Sequence, residues 1–231
     1  MILYGRNPVR EALRGRRRVT QVWAASGAAR EPWLEGVGVK AADDAELTER
    51  CGSADHQGIC AQAGDYPYSD ADGLLSAEDA LVVCLDQITD PRNLGAVCRV
   101  AECAGAAGVV IPERRSAEVT PAACKASAGA VEHLPVARVR NVADWLAQAK
   151  QTGAWVYGAD AEGVPWTRPD YSGRTVLVMG SEGSGLRPRV RAACDELVAL
   201  PMRGRIDSLN VSSAAAALVY GILQSRLDKA P

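Results

Sequence analysis

Three short stretches of this chain hold side chains that could act together on a ligand. The first is Asp86-Gln87-Ile88-Thr89-Asp90-Pro91-Arg92-Asn93-Leu94-Gly95-Ala96-Val97-Cys98-Arg99. Asn93 can cap a helix there, and Arg99 follows just under two turns later. An arginine beside such a loop is suited to gripping a phosphate or stabilising negative charge that develops on oxygen. The second, Met179-Gly180-Ser181-Glu182-Gly183-Ser184-Gly185-Leu186, sets three glycines close together after an apolar run, so backbone can approach a ligand closely. Its G-x-x-G-x-G spacing departs from the G-x-G-x-x-G of dinucleotide sites, Pro188 follows, and Glu182 would repel a pyrophosphate. A nicotinamide cofactor is therefore not expected. The third runs from Leu200 to Ala217, LPMRGRIDSLNVSSAAAA. It strings Arg203, Arg205, Asp207, Ser208, Asn210 and Ser212 along a polar loop and turns into four alanines. Ser208 is the expected N-cap of the helix that follows, and a helix start beside a polar loop can hold a charged or carbonyl-bearing ligand.

Other chemistries have little to work with. There are only two histidines, His56 and His133, so a His-based zinc site or triad is short of parts. The seven cysteines (51, 60, 84, 98, 103, 124 and 194) are odd in number and form no C-x-x-C pair, which predicts buried reduced thiols and no metal site.

The elements that must position these residues form two groups. Residues 1–66 predict a small α/β module. Asn7 caps VREALRG with Pro8 at its first position, and VTQVWA (19–24) is a strand. A helix is expected from Glu31, a short strand at 37–39, a helix at 43–51, and the strand ICAQA after His56-Gln57-Gly58. Residues 67–79, PYSDADGLLSAED, are polar and turn-rich and predict a linker. From 80 to 231, strands at 80–86, 108–112, 133–139, 154–159, 175–180 and 196–201 alternate with helices. The helices are expected at 94–106, 121–130, 142–151 and 190–194, with a long one at the C-terminal end. Alternation of this kind implies a mostly parallel sheet with helices on both faces, whose ligands bind beyond the C-terminal ends of the strands. All three stretches follow such ends.

The chain has 231 residues, 48% of them hydrophobic and 23% charged, enough for two domains with real cores. A net charge of −2 does not advertise a nucleic-acid binder, yet the arginines cluster: 14, 16, 17 and 18; 114 and 115; 187, 189 and 191; 203 and 205. Such patches can contact phosphates locally even when distant carboxylates cancel the total. No apolar run reaches membrane-spanning length, and MILYGRNPVREALRGRRR lacks a secretory layout, so a cytoplasmic protein is expected.

Taken in order, the N-x-G stretch, G-S-E-G-x-G and L-P-M-x-G-x-x-x-S-L-N-V-S resemble the SpoU (TrmH) family of RNA 2′-O-ribose methyltransferases, of the SPOUT class, over about residues 80–227. The N-terminal module, with YGRNPVREAL and HQGI, resembles the RNA substrate-binding domain of the RlmB-like branch, whose target is a guanosine ribose in 23S ribosomal RNA. The resemblance implies a C-terminal deep trefoil knot, a homodimer formed through the catalytic domain, and S-adenosylmethionine as cofactor. It implies that Gly180, Leu200, Met202, Ser208 and Leu209 hold the cofactor. It puts Asn93, Arg99, Glu182, Asn210 and Ser212 around the reacting ribose. Arg14, Arg16, Arg17, Arg18, His56 and Gln57 are the expected RNA contacts of the first module. Transfer RNA or another ribosomal site stays open as the substrate, as does a ribosome-assembly factor that binds RNA without catalysis.

Overall fold

A computed structural model describes residues 1–181 and 183–229. In the first module, β1 (Ile2–Tyr4), β2 (Val19–Ala24), β3 (Val39–Ala41) and β4 (Ile59–Ala63) form a mixed sheet in the order β1-β4-β2-β3. Helix α1 (Arg6–Arg14) starts from Gly5 with no side-chain cap, so Asn7 lies inside the helix instead of capping it. The helix expected from Glu31 is absent. Two 3-10 turns, Ala28–Arg30 and Pro32–Leu34, flank an extended Glu31, and Gly36 follows in the left-handed region. Helix α2 (Asp44–Cys51) begins where Asp43 accepts a hydrogen bond from the Glu46 N–H.

The second domain is a six-stranded, all-parallel sheet of β5 (Leu81–Leu85), β6 (Gly108–Pro112), β7 (Val136–Val139), β8 (Trp155–Pro165), β9 (Thr175–Met179) and β10 (Glu196–Ala199). Their order is β10-β8-β9-β5-β6-β7. Helices cover both faces, as the sequence pattern requires, and successive strand residues alternate between the two cores. Leu81, Val83, Leu85, Val109, Ile111 and Leu177 pack with α3 (Pro91–Cys103), α4 (Pro121–Ala126) and α7 (Val211–Leu227). Val82, Cys84, Val110, Val176 and Val178 pack with α5 (Val142–Gln151) and α6 (Pro188–Ala193). The β8 strand outruns its expected length because Gly163 lets it lie against Leu197, where a Cβ would come within 2.5 Å of backbone. Among the described residues no helix is long and apolar enough to cross a membrane.

The two domains share one core. The joining segment packs against it: Ser69 bridges to Ala137 beside β7, and Leu74 and Leu75 are buried in a 3-10 turn. Tyr66 donates its hydroxyl to the Val131 and Leu134 carbonyls at 2.9 and 3.1 Å. Arg17, expected on an RNA-binding surface, is instead buried in this interface. Its Nε donates to Glu132 Oε2 at 2.9 Å, a second N–H meets the other carboxylate oxygen, and both side chains are 1% exposed. A guanidinium removed from water must have such a partner, which is why this arginine turns inward.

Candidate active site

The Gly-rich stretch leaves the end of β9 and folds back at once. Ser181 and Gly185 exchange backbone hydrogen bonds at 3.1 and 2.9 Å, with Gly183 and Gly185 in the left-handed region. A Cβ on Gly180 would lie 2.2 Å from the Gly185 carbonyl carbon, so only glycine lets the turn close. The far end of the turn is fixed by Asp86, whose side chain is fully buried at the end of β5. Asp86 accepts from the Arg187 backbone N–H at 2.9 Å and from its guanidinium at 2.7 and 2.6 Å. Sequence reasoning passed over Asp86, because nothing local distinguishes it from Asp90, the other carboxylate of its loop.

Opposite this turn, the loop after β10 is exposed from residue 201 to 210. Between the two loops lies a cleft of about 540 Å³. All five residues expected to hold a cofactor, Gly180, Leu200, Met202, Ser208 and Leu209, line it. The middle of β8 adds Ala159 and Asp160, β10 adds Val198, and α7 adds Ala214 and Leu218. These were not foreseen, although Ala159 closes the strand expected at 154–159 and a strand end was a readable signal. Burial tends to raise the Asp160 carboxyl, but the Glu162 N–H and the Arg191 guanidinium outweigh it and hold it below its usual range.

At the mouth of the cleft the first and third stretches meet. Asn210 Nδ2 donates to Asn93 Oδ1 at 3.1 Å across 117 residues of chain. Asn210 Oδ1 accepts from the Ser212 N–H at 2.9 Å and from the Ser212 hydroxyl at 2.6 Å. Two expected caps are corrected here. Asn210, not Ser208, caps α7, and Ser208 faces the cleft and donates to Asp207 at 3.2 Å. Asp90, not Asn93, caps α3, with Pro91 at its first position, and this leaves the Asn93 side chain for the long-range bond. Arg99 stands about 9 Å further along α3 and turned to another face, exposed to solvent. Glu182 lies outside the described residues.

The expected RNA contacts of the first module separate. Arg14, Arg16 and Arg18 are exposed. They flank Arg17, whose partner Glu132 precedes β7, so they sit toward the edge of the sheet opposite the cleft. His56 is a buried structural residue, with Nδ1 accepting from Gly58 N at 3.0 Å and Nε2 meeting Thr48 Oγ1 at 3.1 Å. It cannot present an edge to RNA without leaving this turn. Gln57 is exposed beside it and accepts from the Arg6 N–H at 3.0 Å.

A doubly covered parallel sheet, with a glycine-cradled cleft at its strand ends and an asparagine pair at the mouth, defines an α/β ligand-binding enzyme domain joined to a second recognition module. Residues 80–220 match the SpoU rRNA Methylase family, and residues 2–69 match the domain described as RNA 2′-O ribose methyltransferase substrate binding. The chain belongs to the SpoU rRNA methylase family. It is 37% identical to YacO of Bacillus subtilis, named as a TrmH family tRNA/rRNA methyltransferase, over 96% of this chain and 94% of that one. A relative from Mycobacterium avium, named as a tRNA/rRNA methyltransferase, is 42% identical over 96% of this chain and 76% of its own length. Among solved structures, the SpoU methyltransferase AviRb from Streptomyces viridochromogenes, in complex with AdoMet, superposes with a TM-score of 0.81. That likeness is at 26% identity and covers 98% of this chain and 90% of that one.

Proposed function

We propose that this protein transfers a methyl group from S-adenosylmethionine to a ribose 2′-hydroxyl of RNA, a guanosine of 23S ribosomal RNA, as a cytoplasmic homodimer with a knotted C-terminal segment. The observation that carries the reading is the Asn93–Asn210 hydrogen bond at the mouth of the cleft, where a polar pair meets the apolar cradle. The cleft fits the cofactor: its volume is within the range of about 300–1,000 Å³ usual for small-molecule sites. Gly180 would let backbone approach the adenosine, and Leu200, Met202 and Leu209 would cover its apolar parts. When bound, the cofactor supplies a methyl group activated by a sulfonium.

The remaining work belongs to the chain's own side chains. Asn93 and Asn210, locked to each other and to Ser212, orient the ribose so that its hydroxyl faces the cleft. Arg99 holds the adjoining phosphate and stabilises charge on the attacking oxygen. A guanidinium offers donors and no acceptor, so the proton passes to the phosphate or to water. Exposure of Arg99 is one reason for including a second subunit. Another is the stripe of Ser213, Ala217, Tyr220, Gln224 and Leu227, which runs exposed along one face of α7.

The test incubates purified protein with labelled methyl donor and 23S, 16S or transfer RNA, and maps the product by primer-extension stops. Label at a single 23S guanosine is the expected result; label on transfer RNA alone would move the substrate, and none on any RNA would refute the activity. Arg99→Ala should lower transfer by orders of magnitude with cofactor affinity near normal, and retained turnover would remove Arg99 from the reaction.

A further inference from the structure

The cofactor cleft occupies only half of the sheet's C-terminal edge, beyond β8, β9 and β10. Of the loops in the other half, beyond β5, β6 and β7, the reaction uses only the one after β5, through Asp86 and Asn93. Strands β6 and β7 leave the sheet side by side, Pro112 paired in register with Val139. Arg114 and Arg115 follow the first and Arg140 follows the second, all exposed. The 113–117 loop then reaches over β5, where the Ile88 carbonyl accepts from the Ala117 N–H at 2.7 Å and from the Ser116 hydroxyl at 3.3 Å. Exposed Arg92 begins α3 just beyond.

Shared position at one edge, more than pairing, sets these arginines apart. Some arginines are satisfied within the fold, Arg17 by Glu132, Arg187 by Asp86, Arg191 by Asp160 and Glu162, Arg226 by three carbonyls, while Arg16, Arg18, Arg99, Arg203 and Arg205 have no ion pair among the described residues. Among the described residues Arg92, Arg114, Arg115 and Arg140 have no ion pair. Three acids share the surface, and exposed Asp90 is taken up in capping α3 at the Arg92 N–H. Glu118 is taken by Arg138 at 3.2 Å, and Glu113 is exposed. Backbone strain points to the same place. Arg115 and Gln87, in two loops that hydrogen-bond to each other, both hold positive φ, at 57° and 63°. Left-handed residues without a glycine persist where the surroundings fix a loop's shape.

We infer that the β5–β6–β7 half of this edge is the bed of the RNA strand flanking the target nucleotide, with Arg92, Arg114, Arg115 and Arg140 contacting its phosphates. The inference rests on the RNA methyltransferase reading and adds the direction in which the polymer runs. A ribose at Asn93 and Asn210 has the cofactor on one side, so the strand leaves over the other. From β5 to β7 is about 10 Å, enough for a short run of phosphates. Arg14, Arg16 and Arg18 lie toward the opposite edge and do not share the bed.

The test measures binding of a 23S ribosomal RNA transcript, and of bulk transfer RNA, as a function of salt for R114Q/R115Q/R140Q and for R16Q/R18Q. Cofactor binding reports that each variant is folded. The triple variant should lose about tenfold or more in RNA affinity, and its slope of log affinity against log salt should shrink by about 2, three contacts at roughly 0.7 each for a single strand. R16Q/R18Q, in the module that matches a substrate-binding domain, should shrink the slope by at most about 1.4, two contacts at roughly 0.7 each, and so by less than the triple variant. If the triple variant loses cofactor binding, the same comparison is made with R114Q/R140Q, which leaves the strained position intact. A triple variant that binds like wild type, or a larger loss in R16Q/R18Q, would overturn the bed alone. Wild-type protein that binds neither RNA would overturn the methyltransferase reading and the bed with it.

Discussion

Asp86 offers the sharpest test of how the fold builds the cleft. Its carboxylate is fully buried, while its partner Arg187 is 40% exposed. It clips the far end of the Gly180–Leu186 turn to β5 through one backbone and two guanidinium contacts. In Asp86→Ala the arginine can turn to water, but the Arg187 N–H loses its acceptor and a small void remains. The loss should be about 3 kcal/mol, an unsatisfied backbone donor plus part of the charge-assisted bonds. For a chain of this size that is about 6–12 °C in Tm. Arg187→Ala keeps the backbone bond but strands a buried carboxylate, and should cost about 3–5 kcal/mol. The double variant should therefore cost less than the sum of the two, with a coupling of at least about 1 kcal/mol. Thermal unfolding gives the stabilities, and calorimetric titration with S-adenosylmethionine gives the cofactor affinity, expected to weaken about tenfold in Asp86→Ala as the turn loosens. Additive single losses, or an unchanged Tm and affinity in Asp86→Ala, would refute the clip.

Two more outcomes follow from buried groups. Glu132→Ala, which isolates the buried Arg17 guanidinium between the domains, should cost about 3–5 kcal/mol by denaturant unfolding, while the paired apolar swap R17M/E132L should recover most of it; equal costs would mean the pair is not coupled. Burial pushes the Cys60 and Cys194 thiols up to about 12 and, against the pull of Arg17, Cys124 up to about 11, so brief alkylation of native protein at about pH 7.5 should mark exposed Cys103 ahead of all three. Mass spectrometry of the peptides reads the order, and earlier labelling of Cys60 or Cys124 would contradict the packing.

How much of this was readable in the chain depends on the range of the interaction. The strand Gly108–Pro112 and the helix Val142–Gln151 fall where apolar periodicity puts them, because each repeat is decided by neighbours a few residues away. Caps were less legible, since several polar residues near one helix start compete for the same N–H groups. Asp90 and Asn210 win those contests, and the outcome for Asn93 is functional: a side chain not spent on its own helix can reach Asn210. Arg17 and Asp86 were not legible at all. One stands in a run of like-charged residues and the other in a loop with a second aspartate, and their partners lie 115 and 101 residues away. The family motifs compensate for that blindness only at the cleft. There glycine at 180 is dictated by close backbone approach, which no other side chain would satisfy. The arginines beyond β6 and β7 carry no such local necessity. Their meaning came only from knowing which charges the fold neutralises and which it leaves facing the same edge as the cleft.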